Sequence, residues 1–370
     1  MAHNVLFVIN GLGLGNSTRC HAVIDYLVRA GSQVHILTSG NGLAYFEGRP
    51  GIASLEGMSS FFYSQSKTGI SGWTTARSAP RLLAIVREKR ASLERWLAQR
   101  KPDVAVVDSE YVLSPLRRRK IPIVAINNSE VVVSEYLRHR RLARGVSSHF
   151  WFVEFADYLF HRYFVSRVMS PFPIATPTRA SVFERVGLIV RGEVEAVAGR
   201  NASKPFPAPR DVRTVVCMLS GSVHASSIDF GDGDFPFDVD VVGVSGPSRG
   251  RVTFHGRSMN NIGLLERADV LVINGGYSAV SEALAFGKPT FVVPVPGHAE
   301  QFVNSMLAVD LGLGFAATEQ DVMPRLCEMH TRNEWIGLKP RRTDLQFHGA
   351  SEAAAAILRF LEEPARLALA

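Results

Sequence analysis

Residues 268–314 read ADVLVINGGYSAVSEALAFGKPTFVVPVPGHAEQFVNSMLAVDLGLG, and this segment decides the fold. Its first apolar run, Val270 to Ile273, predicts a buried strand that stops at a glycine turn. A helix is predicted from Ser278 to Phe286, because Gly287 stands where a helix commonly ends in a left-handed residue. A second apolar run, Thr290 to Val293, predicts another strand. Strand, turn, helix and strand in this order predict a βαβ unit of a parallel sheet.

The glycine turn Asn274-Gly275-Gly276 is the first candidate for chemistry. Backbone N–H groups at the start of the following helix face a space where an anion can bind. Glu282, one turn further along, can reach a pair of vicinal hydroxyls such as those of a ribose. A short glycine turn is a weak signal, however, and a purely structural βαβ unit would carry the same glycines.

The segment as a whole resembles the donor-binding signature of inverting glycosyltransferases of GT-B fold. It is most similar to the family 1/28 group, which holds the UDP-glycosyltransferases and the lipid-linked N-acetylglucosaminyltransferase of peptidoglycan synthesis. The resemblance implies a set of donor-binding residues: Asn274, Gly275, Gly276, Ser278 and Ala279 for the diphosphate, Glu282 for the ribose, and Glu300 with Gln301 for the sugar. Many members have His in place of Asn274 and Asn in place of Ser278, but both residues here can still hydrogen-bond phosphate.

A second glycine-rich loop follows the first predicted strand, Val5 to Ile9, and reads NGLGLGNSTR over residues 10–19. It resembles a dinucleotide-binding loop, but Thr38-Ser39-Gly40 replaces the acidic residue that an NAD site usually keeps after its second strand. In the glycosyltransferase family this loop faces the acceptor, so the resemblance implies acceptor contacts from Gly13, Gly15 and Asn16. Asn16 stands where the family usually has a His that acts as general base. An amide cannot take a proton at neutral pH, so the usual mechanism is in doubt. Four alternatives remain: another carboxylate or imidazole serves as the base, the acceptor is already ionised, catalysis is slow, or the protein binds its ligands without turnover.

Two carboxylates follow the predicted strand Val104 to Val107, at the strand end where open α/β sheets hold ligands. In the family an acidic residue here partners the catalytic His, so Asp108 becomes the leading candidate for the base and Glu110 the second. An Asp in this place can instead cap the next helix. The next strand, Ile123 to Ile126, precedes a polar cluster that resembles the acceptor motif of bacterial and archaeal relatives, which implies acceptor contacts from Asn128 and Glu130.

The composition limits the partners and the redox chemistry. The chain has 370 residues, 46% hydrophobic and 20% charged, with a formal charge of +7. The excess of positive charge favours an anionic partner, namely a nucleotide-sugar or an anionic membrane surface, and no nucleic-acid motif is present. Three scattered cysteines without a CxxC pair predict neither a disulfide scaffold nor a zinc site. The sequence shows no signal peptide and no long apolar run, so we expect a cytoplasmic protein. Peripheral association with the inner face of the membrane is a further hypothesis.

Two segments of the first half have an amphipathic pattern. The helix predicted from Leu82 to Gln99 has a charged side that includes Lys89, which we expect to be solvated. Residues 136–167 mix arginines with aromatic residues at helical spacing. Such aromatics either belong to the core or lie in a bilayer interface while the arginines contact anionic headgroups.

The predicted fold class is therefore α/β: a GT-B fold with two Rossmann-like, doubly wound domains that face each other across a cleft. The predicted boundaries are an acceptor-binding domain over residues 1–198, a Pro-rich linker over 199–211, a nucleotide-sugar-binding domain over 212–349, and a last helix over 350–370 that crosses back to the first domain. The family further implies that Ser220 and Gly221 lie near the donor phosphates and that the base rests by Phe254.

The predicted function is transfer of a sugar from a nucleoside-diphosphate sugar, in this family most often a UDP-sugar, to an acceptor hydroxyl with inversion. No cofactor and no metal are expected, because helix ends can stabilise the leaving diphosphate. Two alternatives stay open: a catalytically silent binding protein, which the Asn16 substitution favours, and a nucleotide-sugar 2-epimerase on the same fold.

Overall fold

The computed structural model describes most of the chain, namely residues 2–60, 79–174, 182–201, 212–219, 228–256, 258, 260–312, 314–334 and 344–362. The predicted linker, residues 199–211, falls largely outside these described ranges, as do Ser220 and Gly221.

The chain divides into two compact units, each of which takes one segment from the other half of the sequence. The first unit contains residues 1–133, 155–191 and the chain from Gln346 onward. The second unit contains residues 134–154 and 192–345. The predicted boundaries put 134–154 in the first domain, whereas the compact units group this segment with the second half.

The first unit is built on a parallel sheet. Its strands are β1 (Asn4–Ile9), β2 (Gln33–Thr38), β3 (Ile52–Gly57), β4 (Val104–Asp108), β5 (Ile123–Ile126), β6 (Arg167–Pro171) and β7 (Phe183–Val186). Their order in the sheet is β3-β2-β1-β4-β5-β6-β7. The direction of winding therefore reverses between β1 and β4, where Ile9 pairs with Asp108.

The second unit repeats this plan with β8 (Thr214–Met218), β9 (Asp238–Val242), β10 (Val252–Gly256), β11 (Val270–Asn274), β12 (Thr290–Val293) and β13 (Gly314–Ala316). The order is β10-β9-β8-β11-β12-β13, all paired in parallel. The winding reverses between β8 and β11. Ligands of open α/β sheets bind at the carboxyl ends of the strands at such a reversal.

The helices follow from the amphipathic stretches between the strands. In chain order the described helices are α1 (Leu14–Arg29), α2 (Gly40–Phe46), α3 (Ala79–Gln99), α4 (Ser114–Arg118), α5 (Ser129–His139), α6 (Ser147–His149), α7 (Phe155–Phe164), α8 (Gly192–Asn201), α9 (Ile262–Arg267), α10 (Tyr277–Phe286), α11 (Ala299–Asp310), α12 (Val322–Arg332) and α13 (Gly349–Glu362). A 3₁₀ turn over Arg144–Val146 precedes α6, and a π-helical turn over Phe150–Glu154 follows it.

The cores explain why the strand patterns are almost continuously apolar. Every residue from Val5 to Ile9 is at most 1% exposed, and Val270 to Ile273 are fully buried, as strands covered on both faces require. The last helix α13 packs its alanine-rich face, from Ala350 to Phe360, into the core of the first unit. The predicted α/β fold with two Rossmann-like sheets is confirmed.

Candidate functional site

The turn after β11 is locked to the start of α11 by close backbone packing. A Cβ atom built on Gly275 would lie 2.5 Å from the backbone oxygen of Gln301, so only glycine fits there. The Asn304 side chain also donates a hydrogen bond to the Gly275 carbonyl, at 2.9 Å. The structure thus brings the predicted diphosphate loop and the predicted sugar-binding helix side by side.

Helix α10 starts directly from this turn. Gly276, which has no side chain, occupies its N-cap position, and a Cβ there would meet nothing within 4 Å. The helix ends at Gly287 in a left-handed conformation, with φ 63°, as predicted. Glu282 is 7% exposed and stands one turn after Ser278, on the same face of the helix. The N-terminus of α10, Ser278 and Glu282 therefore lie along one face of the helix.

The polar side chains around the turn also hold its own backbone. Asn274 donates from its amide to the carbonyl of Val293, at 3.2 Å, which ties the ends of β11 and β12 together. The carboxamide oxygen of Gln301 accepts from the N–H of Val295, at 2.9 Å. A contact from Gln301 to a sugar would therefore use its amide nitrogen rather than this oxygen.

Phe254 lies farther from the turn within the same sheet. It belongs to β10, which is separated from β11 by β9 and β8. Its ring packs edge-on against Phe230, with centroids 5.7 Å apart. Phe254, which was predicted to contact the nucleotide base, and the glycine turn after β11 therefore lie on opposite sides of the winding reversal between β8 and β11.

In the first unit, Asp108 lies at the winding reversal but has a cationic partner. Its carboxylate is fully buried and accepts two hydrogen bonds from Arg19, at 2.9 Å from Nε and 2.7 Å from the terminal nitrogen. The thiol of Cys20 and the hydroxyl of Ser109 donate to the same carboxylate, at 3.3 and 3.2 Å. Asp108 is the centre of a buried hydrogen-bond network.

Glu110 is held in the same way by Lys89. The two side chains form a buried ion pair, and the Glu110 carboxylate also accepts from the backbone N–H groups of Tyr111 and Val112. Lys89 is 1% exposed, so its expected solvation is wrong. The free energy of burying the Lys89 ammonium is offset by its ion pair with Glu110.

Asn16 contacts this network through Arg19. The carboxamide oxygen of Asn16 lies 3.5 Å from a terminal nitrogen of Arg19, and its amide donates to the carbonyl of Asn10. Gly13 is the N-cap of α1, and Gly15 lies in its first turn. The helix was predicted to begin at Ser17 but begins at Leu14, so the second half of the glycine loop is already helical.

The two residues predicted from the polar cluster after β5 lie near the start of α5. Glu130 forms a two-point ion pair with Arg185, at 2.7 and 3.1 Å, and Ser170 donates to the same carboxylate. Asn128 is 8% exposed, and its carbonyl accepts from Val132. Glu130 would have to share its carboxylate with Arg185 to contact an acceptor.

The comparisons with known proteins agree with this pair of sheets. Residues 3–162 match the family described as "Glycosyl transferase family 1", and residues 256–332 match "Glycosyltransferase family 28 C-terminal domain". The chain thus carries glycosyltransferase domains of the family 1 and family 28 types.

Relatives of this glycosyltransferase occur in archaea. It is 23% identical over 397 residues to an uncharacterized glycosyltransferase of Methanosarcina mazei, and the match covers 98% of this chain and 99% of the relative. An uncharacterized glycosyltransferase of Methanopyrus kandleri is 30% identical over 105 residues, and the match covers 28% of this chain and 30% of that one.

Two solved structures show the same fold at low identity. The calicheamicin glycosyltransferase CalG4 superimposes with a TM-score of 0.60 at 17% identity, covering 98% of this chain and 99% of that one. MurG of Acinetobacter baumannii superimposes with a TM-score of 0.58 at 14% identity, covering 96% and 99%.

The glycosyltransferase also has a buried histidine that the sequence did not single out. His161 in α7 is fully buried, and its Nδ1 lies 2.9 Å from the Asp157 carbonyl oxygen and 3.2 Å from the Asp157 carboxylate. Burial alone lowers the pKa of His161, but the hydrogen bond to Asp157 and its charge outweigh burial and raise this pKa. The amide of Asn127, after β5, donates to the other Asp157 oxygen, at 3.1 Å. The Asp-x-x-x-His spacing was the available signal, hidden among aromatic residues.

A second histidine, His149 of α6, packs against the start of α11 within the second unit. The backbone N–H of Ala299 donates to Nδ1 of His149, at 3.4 Å, and the rings of His149 and His298 lie 4.8 Å apart. Burial lowers the pKa of His149 to about 4; His298 acts in the same direction and Glu300 opposes it. His149 is therefore a neutral imidazole near neutral pH, close to the predicted sugar-binding pair.

Proposed function

We propose that this glycosyltransferase moves a sugar from a nucleoside-diphosphate sugar, most simply a UDP-sugar, to an acceptor hydroxyl with inversion at the anomeric carbon. The observation that carries the proposal is the packing of Gly275 against Gln301. It sets the N-terminus of α10 beside α11 at the winding reversal of the second sheet. An anionic ligand and an attached sugar would be held by these two helices together.

The donor would be bound largely by backbone and helix ends. N–H groups at Ser278 and Ala279 would face the diphosphate, and the positive end of the α10 dipole would favour its charge. The same groups would stabilise the charge that grows on the leaving phosphate as the bond to the sugar breaks. Glu282 would bind the ribose, and Glu300 with Gln301 the sugar. The proposed step requires no cofactor and no metal.

The acceptor would be held by the first unit, with Asn16 as an orienting group. Asn16 shares Arg19 with Asp108, so the buried Arg19–Asp108 ion pair fixes its carboxamide. Because Asp108 and Glu110 both have cationic partners, either would act as general base only after its ion pair opened. We therefore propose that Asp108 positions Asn16 through Arg19 and that the acceptor hydroxyl passes its proton to water as its oxygen bonds to the anomeric carbon and the diphosphate leaves.

Replacing Glu282 with alanine tests the donor site. We expect wild-type protein to bind one of UDP, dTDP or GDP in calorimetry, and the variant to bind it about 10–100-fold more weakly, since a hydrogen bond to a charged group contributes roughly 1.5–3 kcal/mol. NAD should not bind. The exposed Glu328→Ala change in α12 is the control and should leave affinity unchanged. If no nucleotide binds, or Glu282→Ala binds as wild type does, the donor-site proposal fails.

The two alternative functions make different demands on the same donor site. A silent binding protein would bind the nucleotide and show no turnover with any acceptor, and the amide of Asn16 favours this alternative. A 2-epimerase would convert the nucleotide-sugar with no acceptor present. A donor-only incubation followed by chromatography of the sugar separates the epimerase from the transferase.

An anionic membrane surface is the further partner that we propose. Leu142, Trp151 and Phe152 are 69%, 51% and 83% exposed, and arginines 140 and 141 directly precede Leu142 in the chain. The aromatic residues are thus divided between core and surface: Phe150 of the same segment is fully buried and stacks on Tyr136. None of the described helices combines the length and hydropathy needed to cross a membrane. Peripheral contact from the cytoplasmic side would bring the enzyme to a lipid-linked acceptor.

Vesicle binding should depend on these exposed side chains. We expect the chain to sediment with vesicles that contain phosphatidylglycerol and much less with pure phosphatidylcholine, because arginines meet anionic headgroups. A Trp151→Ser, Phe152→Ser double variant should lose most of this binding while its melting temperature stays the same. Equal sedimentation of wild type and variant would remove the membrane from the proposed partners.

A further inference from the structure

We propose that His149, Glu154 and His298 form a binding site for a divalent transition-metal cation of the zinc type. The ligand atoms of these three side chains all lie within 4.8 Å of one another. All three residues belong to the second compact unit. The proposal does not depend on which nucleotide or sugar the glycosyltransferase uses.

The distances suit a small cation with tetrahedral ligands. Nδ1 of His149 lies 3.4 Å from Oε1 of Glu154. Two ligands bound at about 2.0–2.1 Å to a tetrahedral zinc ion are separated by roughly 3.3 Å. This pair is thus already spaced as two zinc ligands would be, and Nδ1 of His149 would exchange its long hydrogen bond from the Ala299 N–H, at 3.4 Å, for the metal. A moderate movement of the His298 ring, which is tilted by 34° to that of His149, would bring in the third ligand.

The chemistry of the ligands selects the class of metal. Two imidazoles and one carboxylate are the donor set of zinc sites that keep a fourth position for water. Magnesium and calcium prefer sites made of oxygen atoms, so neither should compete well. The His149 and Glu154 side chains are 11% and 10% exposed, so a cation there would be shielded from bulk water on most sides.

A second cluster, formed by Glu135, His139 and Asp310, has similar spacing but is a poorer site. The guanidinium of Arg138 lies 3.4 Å from the carboxylates of both Glu135 and Asp310. A cationic group already occupies the position between these acids. The second cluster therefore serves as the matched control.

A metal bound at His149, Glu154 and His298 would join two parts of the second unit. His149 directly precedes the π-helical turn, and Glu154 is the last residue of that turn, in the segment that comes from the first half of the sequence. His298 is the N-cap of α11, two residues before Glu300. The cation would hold this segment against the start of the helix that carries Glu300 and Gln301, a structural role separate from the sugar transfer itself.

Calorimetric titration of untagged, EDTA-treated protein with ZnCl₂ tests the site. We expect one equivalent to bind with micromolar or tighter affinity and to raise the melting temperature, while MgCl₂ gives no binding heat at the same concentration. His149→Ala and Glu154→Gln should each weaken zinc binding at least about tenfold. His139→Ala, in the control cluster, should bind zinc as the wild type does.

Two results would overturn the proposal. One is the absence of zinc binding by wild-type protein. The other is zinc binding of unchanged affinity in both His149→Ala and Glu154→Gln, which would assign the metal to other residues such as the cysteines. Glu154→Gln preserves the size of the side chain, and its melting temperature without metal shows whether the fold is retained. Cobalt in place of zinc gives an independent readout, since a tetrahedral cobalt site absorbs visible light.

Discussion

Replacing Gly275 with alanine is expected to lower both the melting temperature and the affinity for a nucleoside diphosphate. The new Cβ would lie 2.5 Å from the Gln301 backbone oxygen and 2.9 Å from its Cβ, so the backbone must move. Overpacking of this kind costs about 1–3 kcal/mol, or roughly 2–12 °C in the melting temperature of a domain of this size. Because the displaced turn starts α10, we expect UDP or the preferred nucleotide to bind more than about tenfold more weakly. Scanning calorimetry and titration calorimetry measure the two effects.

Gly276→Ala is the matched control for stability. Its Cβ would meet nothing within 4 Å, and its φ of −66° is one that alanine adopts easily. The melting temperature should therefore stay close to that of the wild type. Any loss of nucleotide affinity in this variant would place the ligand at the helix start itself. A Gly275→Ala protein with wild-type stability and affinity would contradict the close contact between the turn after β11 and the start of α11.

Asp108→Asn is expected to destabilise the first unit more than any other single change considered. Arg19 is 6% exposed, so the variant leaves a buried guanidinium without its counter-charge. Breaking one partner of a buried ion pair typically costs about 3–5 kcal/mol. Urea unfolding of wild type and variant measures this loss. The Arg19→Gln, Asp108→Asn double variant should recover part of it, because neither charge is then left alone.

The same variant separates a positioning role for Asp108 from that of a general base. If Asp108 is the general base and has no structural role, Asp108→Asn should abolish turnover and leave the free energy of unfolding unchanged. That result would support the general-base role first predicted for Asp108. The exposed Glu328→Gln change removes a carboxylate from a surface pair with Arg332 and is the control. It should cost less than about 1 kcal/mol, as exposed pairs do.

Local patterns were sufficient to predict most of the regular structure. The strand from Ile123 to Ile126 has the predicted bounds, and helix α10 ends at Phe286 as predicted, because continuous apolar runs and a terminal glycine depend only on neighbouring residues. Helix starts were less well predicted. Helix α1 begins at Leu14 rather than Ser17, since glycines that look like a loop in sequence can still enter a helix.

The partners of the predicted catalytic residues could not be read from the sequence. Arg19 and Asp108 are 89 residues apart, and Lys89 and Glu110 are 21 apart. No local pattern distinguishes a lysine on a solvated helix face from one buried against a carboxylate. Position along the chain made Asp108 the leading candidate base, whereas its two-point ion pair with Arg19 could not be predicted from any local pattern.

The sequence by itself determined the α/β class, the two parallel sheets and the glycine turn after β11, because each depends on short-range apolar runs, glycines and a contiguous motif. Only the tertiary structure decided which charges neutralise each other and which distant segments share a unit. Segment 134–154 belongs with the second half of the chain, and its His149 and Glu154 lie beside His298. Charge pairing and ligand clusters require side chains far apart in the chain to be close in space, and that proximity exists only after the sheets have formed and their helices have packed.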